Sequence, residues 1–174
     1  MRIFVSLRKN STPKILTMKT IQNWLDEYGE SHKNPTNKLV HWVCVPSIFF
    51  SVVGLLWSIP VPEFFLHISF LPLNWAVITL GLVFIYYVIL SVSLAMGMFL
   101  FGLFCLAVCQ YISGQIEFPL WKISLIVFIV AWIGQFLGHK VEGKKPSFFK
   151  DLQFLMIGPA WLMSFIYKRI GLKY

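Results

Sequence analysis

Three histidines carry the most chemical potential in this sequence, because of their type and their position. His32 and His41 lie where a basic N-terminal region gives way to a long apolar interior, and His139 lies where that interior ends. Neutral imidazole is a ligand for iron, zinc, copper and nickel, so three imidazoles at one depth would form a candidate metal site. An interfacial role as amphipathic side chains is the alternative. The sequence has no HExxH or HxxHH motif, which disfavours zincin-type and desaturase-type centres.

Three further polar residues, Asn37, Gln135 and Glu142, are predicted to lie at the same level. Glu142 follows His139 by three residues, so the two share a face if the helix continues. Glu142 is a candidate metal ligand, an outer partner that orients a histidine, or an ion-pair partner of the lysines that follow it. Gln135 lies within an apolar segment, where an unpaired amide is costly. Both amides have hydrogen bonding between helices as an alternative role.

The charge distribution predicts that these residues meet. Of the fifteen lysines and arginines, seven lie in residues 1–38, seven lie in residues 139–174, and only Lys122 lies between. Lysine and arginine are enriched on the cytoplasmic side of membrane proteins, so both ends are predicted to be cytoplasmic. The three histidines then share one membrane face. His67 falls in the opposite loop, where we expect no ligand role.

The composition predicts an integral membrane protein. The 174-residue chain is 57% hydrophobic and 13% charged, whereas soluble domains have about a quarter of their residues charged. A net charge of +8 in a soluble protein would suggest nucleic acid as a partner. Here the basic residues flank apolar segments, which is typical of topology signals and of contacts with anionic lipid. We therefore expect membrane lipid, and no nucleic acid, as a partner.

The elements that must position the histidines are helices. We treat residues 1–17 as an uncertain N-terminal tail and residues 18–174 as a single membrane-embedded domain. Residues 19–32 show the periodicity of an amphipathic helix, and about four spans are predicted: residues 38–59, two within the uncharged run 73–112, and 120–138. Both ends being cytoplasmic requires an even number of spans.

Local signals refine these boundaries. Thr36 or Asn37 is expected to cap the first span, and the uncharged run is expected to break between residues 91 and 97. Residues 152–167 are predicted to form a half-inserted or interfacial helix that Gly158 and Pro159 interrupt. Trp161 and Tyr167 are among the aromatic residues near predicted span ends, where an interfacial belt would place them.

Two segments of the chain resemble motifs of a known family. Residues 28–46, YGESHKNPTNKLVHWVCVP, are similar to its N-terminal motif, in which a histidine precedes Asn-Pro-x-Asn and a second histidine follows nine residues after the first. Residues 132–146, WIGQFLGHKVEGKKP, are similar to its second motif, Gln-Phe-x-Gly-His with an acid and a basic run ending in proline. The family is that of the iron-dependent 2-hydroxy fatty acid dioxygenases.

The resemblance implies alpha-oxidation, in which a 2-hydroxy long-chain fatty acid is shortened by one carbon with O2 and its carboxyl carbon leaves as CO2. It also implies Fe²⁺ at His32, His41 and His139, with Asn37, Gln135 and Glu142 as further functional residues. The membrane would be a bacterial inner membrane or that of the endoplasmic reticulum.

Other classes of function stay open from the residues alone. They include a non-catalytic membrane scaffold or lipid-binding protein and a zinc-dependent lipid hydrolase. A small transporter is disfavoured, because charged residues are nearly absent from the predicted spans.

Overall fold

The structure, a computed structural model, describes residues 19–63, 73–143 and 154–174, and its ordered elements there are helical. Six helices follow one another along this part of the chain: α1 (Ile21–Gly29), α2 (Pro35–Trp57), α3 (Trp75–Leu90), α4 (Val92–Gln115), α5 (Leu120–Val141) and α6 (Ile157–Arg169). The predicted all-α membrane bundle is confirmed. The expected N-terminal tail, His67 and the lysines after Glu142 lie outside the described residues.

Helix length and composition identify the membrane-spanning candidates. Within the described segments, α2, α4 and α5 are each long and apolar enough to cross a membrane. Helix α3 is apolar but has only 16 residues, so it rises about 24 Å against a hydrocarbon core of about 30 Å. It occupies the position of the second expected span. The described residues therefore form a membrane-associated helical bundle in which three helices are long enough to cross a membrane and one apolar helix is shorter.

The helix ends confirm one expected boundary and correct another. Ser91 adopts an extended conformation between α3 and α4, and its side chain caps α4 by accepting a hydrogen bond from the Leu94 backbone amide. The run therefore breaks where the sequence predicted. The expected cap of α2 at Thr36 or Asn37 is wrong, because Asn34 caps the helix and Pro35 opens it. Proline suits the first helical position, since its missing N–H would have no partner there.

The C-terminal helix α6 was predicted to be interrupted at Gly158 and Pro159 and to have interfacial aromatic residues, but it is continuous and packs into the protein core. Helix α6 begins at Ile157, so Pro159 lies in its first turn, where proline is tolerated, and does not interrupt it. Trp161 and Tyr167 are buried within the protein, so the interfacial-belt interpretation of these two residues is wrong. The Tyr167 hydroxyl donates a hydrogen bond to the Ser93 carbonyl at 2.8 Å, which ties α6 to the start of α4.

The closest helix pair is α2 with α5, and small residues make the approach possible. A methyl group at Gly134 would lie 2.6 Å from the Cys44 sulfur, and one at Gly138 would lie 2.5 Å from the Asn37 amide oxygen. Small residues let helix backbones approach in membranes, where apolar burial between helices gives little driving force. The pairing is antiparallel, so it brings the start of α2 beside the end of α5.

Candidate metal centre

Three buried histidines converge at the end of the bundle where α1 ends, α2 begins and α5 ends. His32, His41 and His139 are 2%, 1% and 5% exposed. One ring nitrogen from each lies within 4.8 Å of the other two, and no other such cluster of His, Cys, Asp or Glu occurs in the described parts of the chain. The three side chains could hold one metal ion. Sequence reasoning expected this convergence, and the structure shows it.

The backbone fixes the orientation of two of the three rings. His32 Nδ1 lies 2.6 Å from the Tyr28 carbonyl oxygen, and His41 Nδ1 lies 2.9 Å from the Asn37 carbonyl oxygen. A carbonyl can only accept, so each Nδ1 must carry the proton and donate it. Each histidine thus bonds the carbonyl four residues earlier. In the neutral form of each ring, Nε2 is then the nitrogen whose electron pair is available to a metal ion.

Those two Nε2 atoms point at each other across 2.8 Å. With both Nδ1 atoms protonated, two arrangements satisfy this contact: a second proton on one ring that is donated to the other Nε2, or a cation bound beside both nitrogens. Two nitrogens that bind one ion at about 2.1 Å and at a right angle lie about 3.0 Å apart. The observed separation is therefore close to that of two ligands of one metal.

Glu142 fastens the loop after α1 to the end of α5. Its carboxylate accepts hydrogen bonds from the Lys33 and Asn34 backbone amides, both at 2.9 Å, and from the Asn37 side-chain nitrogen at 3.1 Å. Burial on its own raises the pKa of the Glu142 carboxyl. The hydrogen bonds from Asn34, Lys33 and Asn37, together with the positive charge of a protonated His32, lower this pKa below its ordinary value of 4.5. Glu142 therefore orients the residues that carry His32 and His41.

Asn37 contributes through two different groups. Its carbonyl oxygen orients His41, while its side-chain nitrogen donates to Glu142. The side-chain oxygen lies against Gly138 on α5 and has no hydrogen-bond partner. The predicted polar residue is thus at the centre, but its side chain faces Glu142 and Gly138.

Gln135 lies one helical turn before His139 and lines a cavity beside His41. The cavity is small, about 20 Å³, and Phe154, Leu155 and Gly158 line its other side. Gln135 is 7% exposed and its amide oxygen has no hydrogen-bond partner. An unsatisfied buried acceptor is costly. The adjacent cavity is large enough for about one water molecule, which is a candidate donor to this oxygen.

An aromatic wall around His32 was missed by sequence reasoning. The Tyr28 ring stacks on the His32 ring, with centroids 4.2 Å apart and planes at 16°. Trp161 of α6 packs against both rings, with centroids 5.2 Å from Tyr28 and 5.4 Å from His32. The spacing of four residues between Tyr28 and His32 was a usable signal, because such pairs meet on one helix face. Nothing in the sequence indicated that α6 covers the site.

The fold and the site define a helical membrane protein with a candidate three-histidine metal centre at one end of its bundle. The chain belongs to the 2-hydroxy-palmitic acid dioxygenase Mpo1-like family, whose model matches residues 18–170. It is 28% identical over 151 residues to the 2-hydroxy-palmitic acid dioxygenase MPO1 of Saccharomyces cerevisiae, a match that covers 85% of this chain and 80% of the yeast protein. Comparison with solved structures gives no match. The family resemblance expected from the two motifs is confirmed, and it supports a dioxygenase function.

Proposed function

We propose that the protein is a membrane iron-dependent dioxygenase that alpha-oxidises 2-hydroxy long-chain fatty acids. The observation that carries this proposal is the convergence of three buried histidines, His32, His41 and His139, each of which offers one nitrogen within 4.8 Å of the other two. Family membership supplies the reaction class. In the net reaction a 2-hydroxy acid and O2 give the fatty acid one carbon shorter, CO2 and water. The hydroxyl-bearing carbon becomes the new carboxyl carbon, and O2 takes up the four electrons released.

The donor set fits ferrous iron. Three neutral imidazoles suit iron and leave further coordination positions open. Iron bound there would chelate the carboxylate and the hydroxyl of the substrate and would activate O2. His32, His41 and His139 would hold the ion, while the carbonyls of Tyr28 and Asn37 keep two of the rings in the required tautomer.

The remaining predicted site residues act around the ion. Gln135 lines the cavity beside His41, and its amide oxygen, which has no hydrogen-bond partner, would accept a hydrogen bond from the substrate hydroxyl. Glu142 and Asn37 would orient the histidine-bearing loop through their hydrogen bonds. Burial of all three imidazoles limits access of bulk water to the reacting atoms.

The proposal includes a membrane orientation. The basic residues favour the cytoplasmic face for the histidine end of the bundle, and both chain ends lie on that side if α3 crosses the membrane as the fourth span. Lys33 and Lys140 are exposed there and would attract the substrate carboxylate. The fatty substrate would reach the histidines through the bilayer and react at that face. We propose that residues 18–174 form the single domain that catalyses this reaction.

Metal analysis and turnover of one preparation test the proposal. Protein purified without oxygen should contain one iron per chain and should convert 2-hydroxypalmitate and O2 to pentadecanoate and CO2. The triple variant of His32, His41 and His139 to alanine should lose both iron and turnover. Retained turnover in this variant would overturn the site assignment.

The same preparation separates the competing functions. Zinc is the specific alternative, because three histidines with an open position also form zinc hydrolase sites. Hydrolysis of a lipid ester that zinc restores and iron does not would establish a lipid hydrolase. A protein without stoichiometric metal would be a scaffold or a lipid-binding module.

A further inference from the structure

An apolar groove runs between α3 and α4 and is separate from the histidine centre. Its volume is about 480 Å³, within the range of about 300–1,000 Å³ that is usual for small-molecule sites. Tyr87 and Met98 lie at one end, Val77 and Gln110 lie at the other, and Gly102 lies between. The exposed Phe99 and Leu103 line its mouth, so the groove opens on the outer surface of the bundle.

The inner end of this groove adjoins the histidine centre. Tyr87 is fully buried, and its hydroxyl donates a hydrogen bond to the Met156 carbonyl oxygen. Leu155, the residue before Met156, lines the small cavity that contains His41 and Gln135. The groove and the cavity therefore lie on the two sides of a wall made by Tyr87 and the turn that precedes α6.

The direction and length of the groove suit a linear apolar ligand. From Tyr87 it follows α3 for ten residues to Val77, and from Met98 it follows α4 for twelve residues to Gln110. At 1.5 Å per residue these runs are about 15 Å and 18 Å long. Both lead from the histidine end of the bundle towards the opposite end.

We propose that the α3–α4 groove binds the acyl tail of the 2-hydroxy fatty acid whose carboxylate lies at the histidines. This inference rests on the proposed function. The tail passes where the Tyr87 hydroxyl meets Met156, so this hydrogen bond must break when substrate binds. The groove then sets the chain length that the site accepts, and Gly102 keeps it open about a third of the way from Met98 to Gln110.

A pair of matched variants tests the role of Gly102. A methyl group at Gly102 would lie 3.6 Å from Leu80, an ordinary contact, whereas one at Gly114 on the same helix would meet nothing within 4 Å. Gly102→Leu would fill the groove beyond the third that lies nearest Met98. Gly114→Leu makes the same substitution on the same helix but outside the groove. Each buried methylene contributes about 0.8 kcal/mol, or roughly fourfold, so excluding two or more predicts at least a tenfold lower kcat/KM for 2-hydroxypalmitate.

Substrate length provides the readout that a structural defect would not give. For Gly102→Leu, kcat/KM for 2-hydroxyoctanoate should stay within twofold of wild type, because the short tail ends before the added side chain. Gly114→Leu should match wild type with both substrates. Equal losses on both substrates in Gly102→Leu, or no loss on either, would overturn the groove assignment.

Photolabelling tests the groove without turnover. Wild-type protein in nanodiscs, kept free of O2, is exposed to 2-hydroxypalmitate with a diazirine near its methyl end, and the labelled peptides are mapped by mass spectrometry. Label on α3 and α4 that excess 2-hydroxypalmitate displaces supports the groove, even if the protein proves not to be a dioxygenase. Label spread over the exposed faces of the bundle, or displaced equally by phospholipid, would overturn it while leaving the proposed reaction intact.

Discussion

The three hydrogen bonds that the Glu142 carboxylate accepts from Lys33, Asn34 and Asn37 form a clamp between α5 and the loop after α1. Weakening this clamp tests how the histidines are held in position. The substitution Glu142→Gln keeps the size of the side chain but removes its charge and replaces one acceptor oxygen with a donor NH2. That NH2 must then face Lys33 N, Asn34 N or the Asn37 amide, all of which donate in the wild type. At least one of the three hydrogen bonds is lost.

The magnitude follows from the charge of the acceptor. A hydrogen bond to a charged group contributes about 1.5–3 kcal/mol, and the partial exposure of Glu142 favours the lower value. A loss of about 1.5–2 kcal/mol corresponds to roughly 10- to 30-fold in an equilibrium constant. At the proposed iron site we expect this loss to weaken metal binding, because Lys33 follows His32 directly and Asn37 orients His41. Loss of an outer partner in known metal sites costs about 10- to 100-fold in affinity.

The assay is anaerobic competition for Fe²⁺ between the protein and a chromophoric chelator, with wild type and Glu142→Gln measured side by side. Glu117→Gln is the matched control, since Glu117 is exposed in the loop at the opposite end of the bundle. We expect the control to bind iron as wild type does. Iron affinity of Glu142→Gln within twofold of wild type would refute the view that this clamp positions the histidines.

Three further predictions concern packing, stacking and pH. Gly138→Ala should lower Tm and iron occupancy because its methyl group would lie 2.5 Å from the Asn37 amide oxygen on α2. The control Gly114→Ala should lower neither. A wild-type Tm for both variants would contradict the close packing. Tyr28→Leu removes the ring stacked on His32, a contact that contributes about 0.5–1.5 kcal/mol, and iron affinity should fall about two- to tenfold, with recovery in Tyr28→Phe. The folded-state pKa of Glu142 is lowered, so its clamp stabilises the fold above pH 4.5 and is lost as the pH falls through the lower folded value. The Tm difference between wild type and Glu142→Gln in metal-free protein should therefore be present at pH 7 and disappear in acid; a difference that grows in acid would show the opposite sign.

The meeting of the histidines was predictable because it depends on topology. Lysine and arginine bias and helix length determine which end of each helix lies at which face, and these are properties of segments. His41 and His139 occupy the ends of two adjacent spans, so their common depth follows from the sequence. The break at Ser91 was predictable for a similar reason, since forty uncharged residues exceed one span.

The parts that sequence reasoning missed depend on contacts between distant segments. A tryptophan near the end of a predicted apolar helix is typical of the membrane interface. Trp161 instead contacts Tyr28 and His32 because α6 packs against α1, and the sequence does not reveal that packing. The role of Glu142 likewise depends on amides more than a hundred residues away. The α2 cap was a local error, because Asn34 before Pro35 is also a strong capping pattern.

The register of α2 against α5 connects the packing of the bundle to its chemistry. Three close approaches fix this register: Gly54 against Ser124, Cys44 against Gly134, and Asn37 against Gly138. A slip of one helical turn would move His41 about 5.4 Å along α5. That displacement exceeds the 4.8 Å within which the three ligand nitrogens now lie, so it would separate His41 from His139. The small residues therefore do more than permit close packing: they select the one alignment in which the two spans present their imidazoles to the same point.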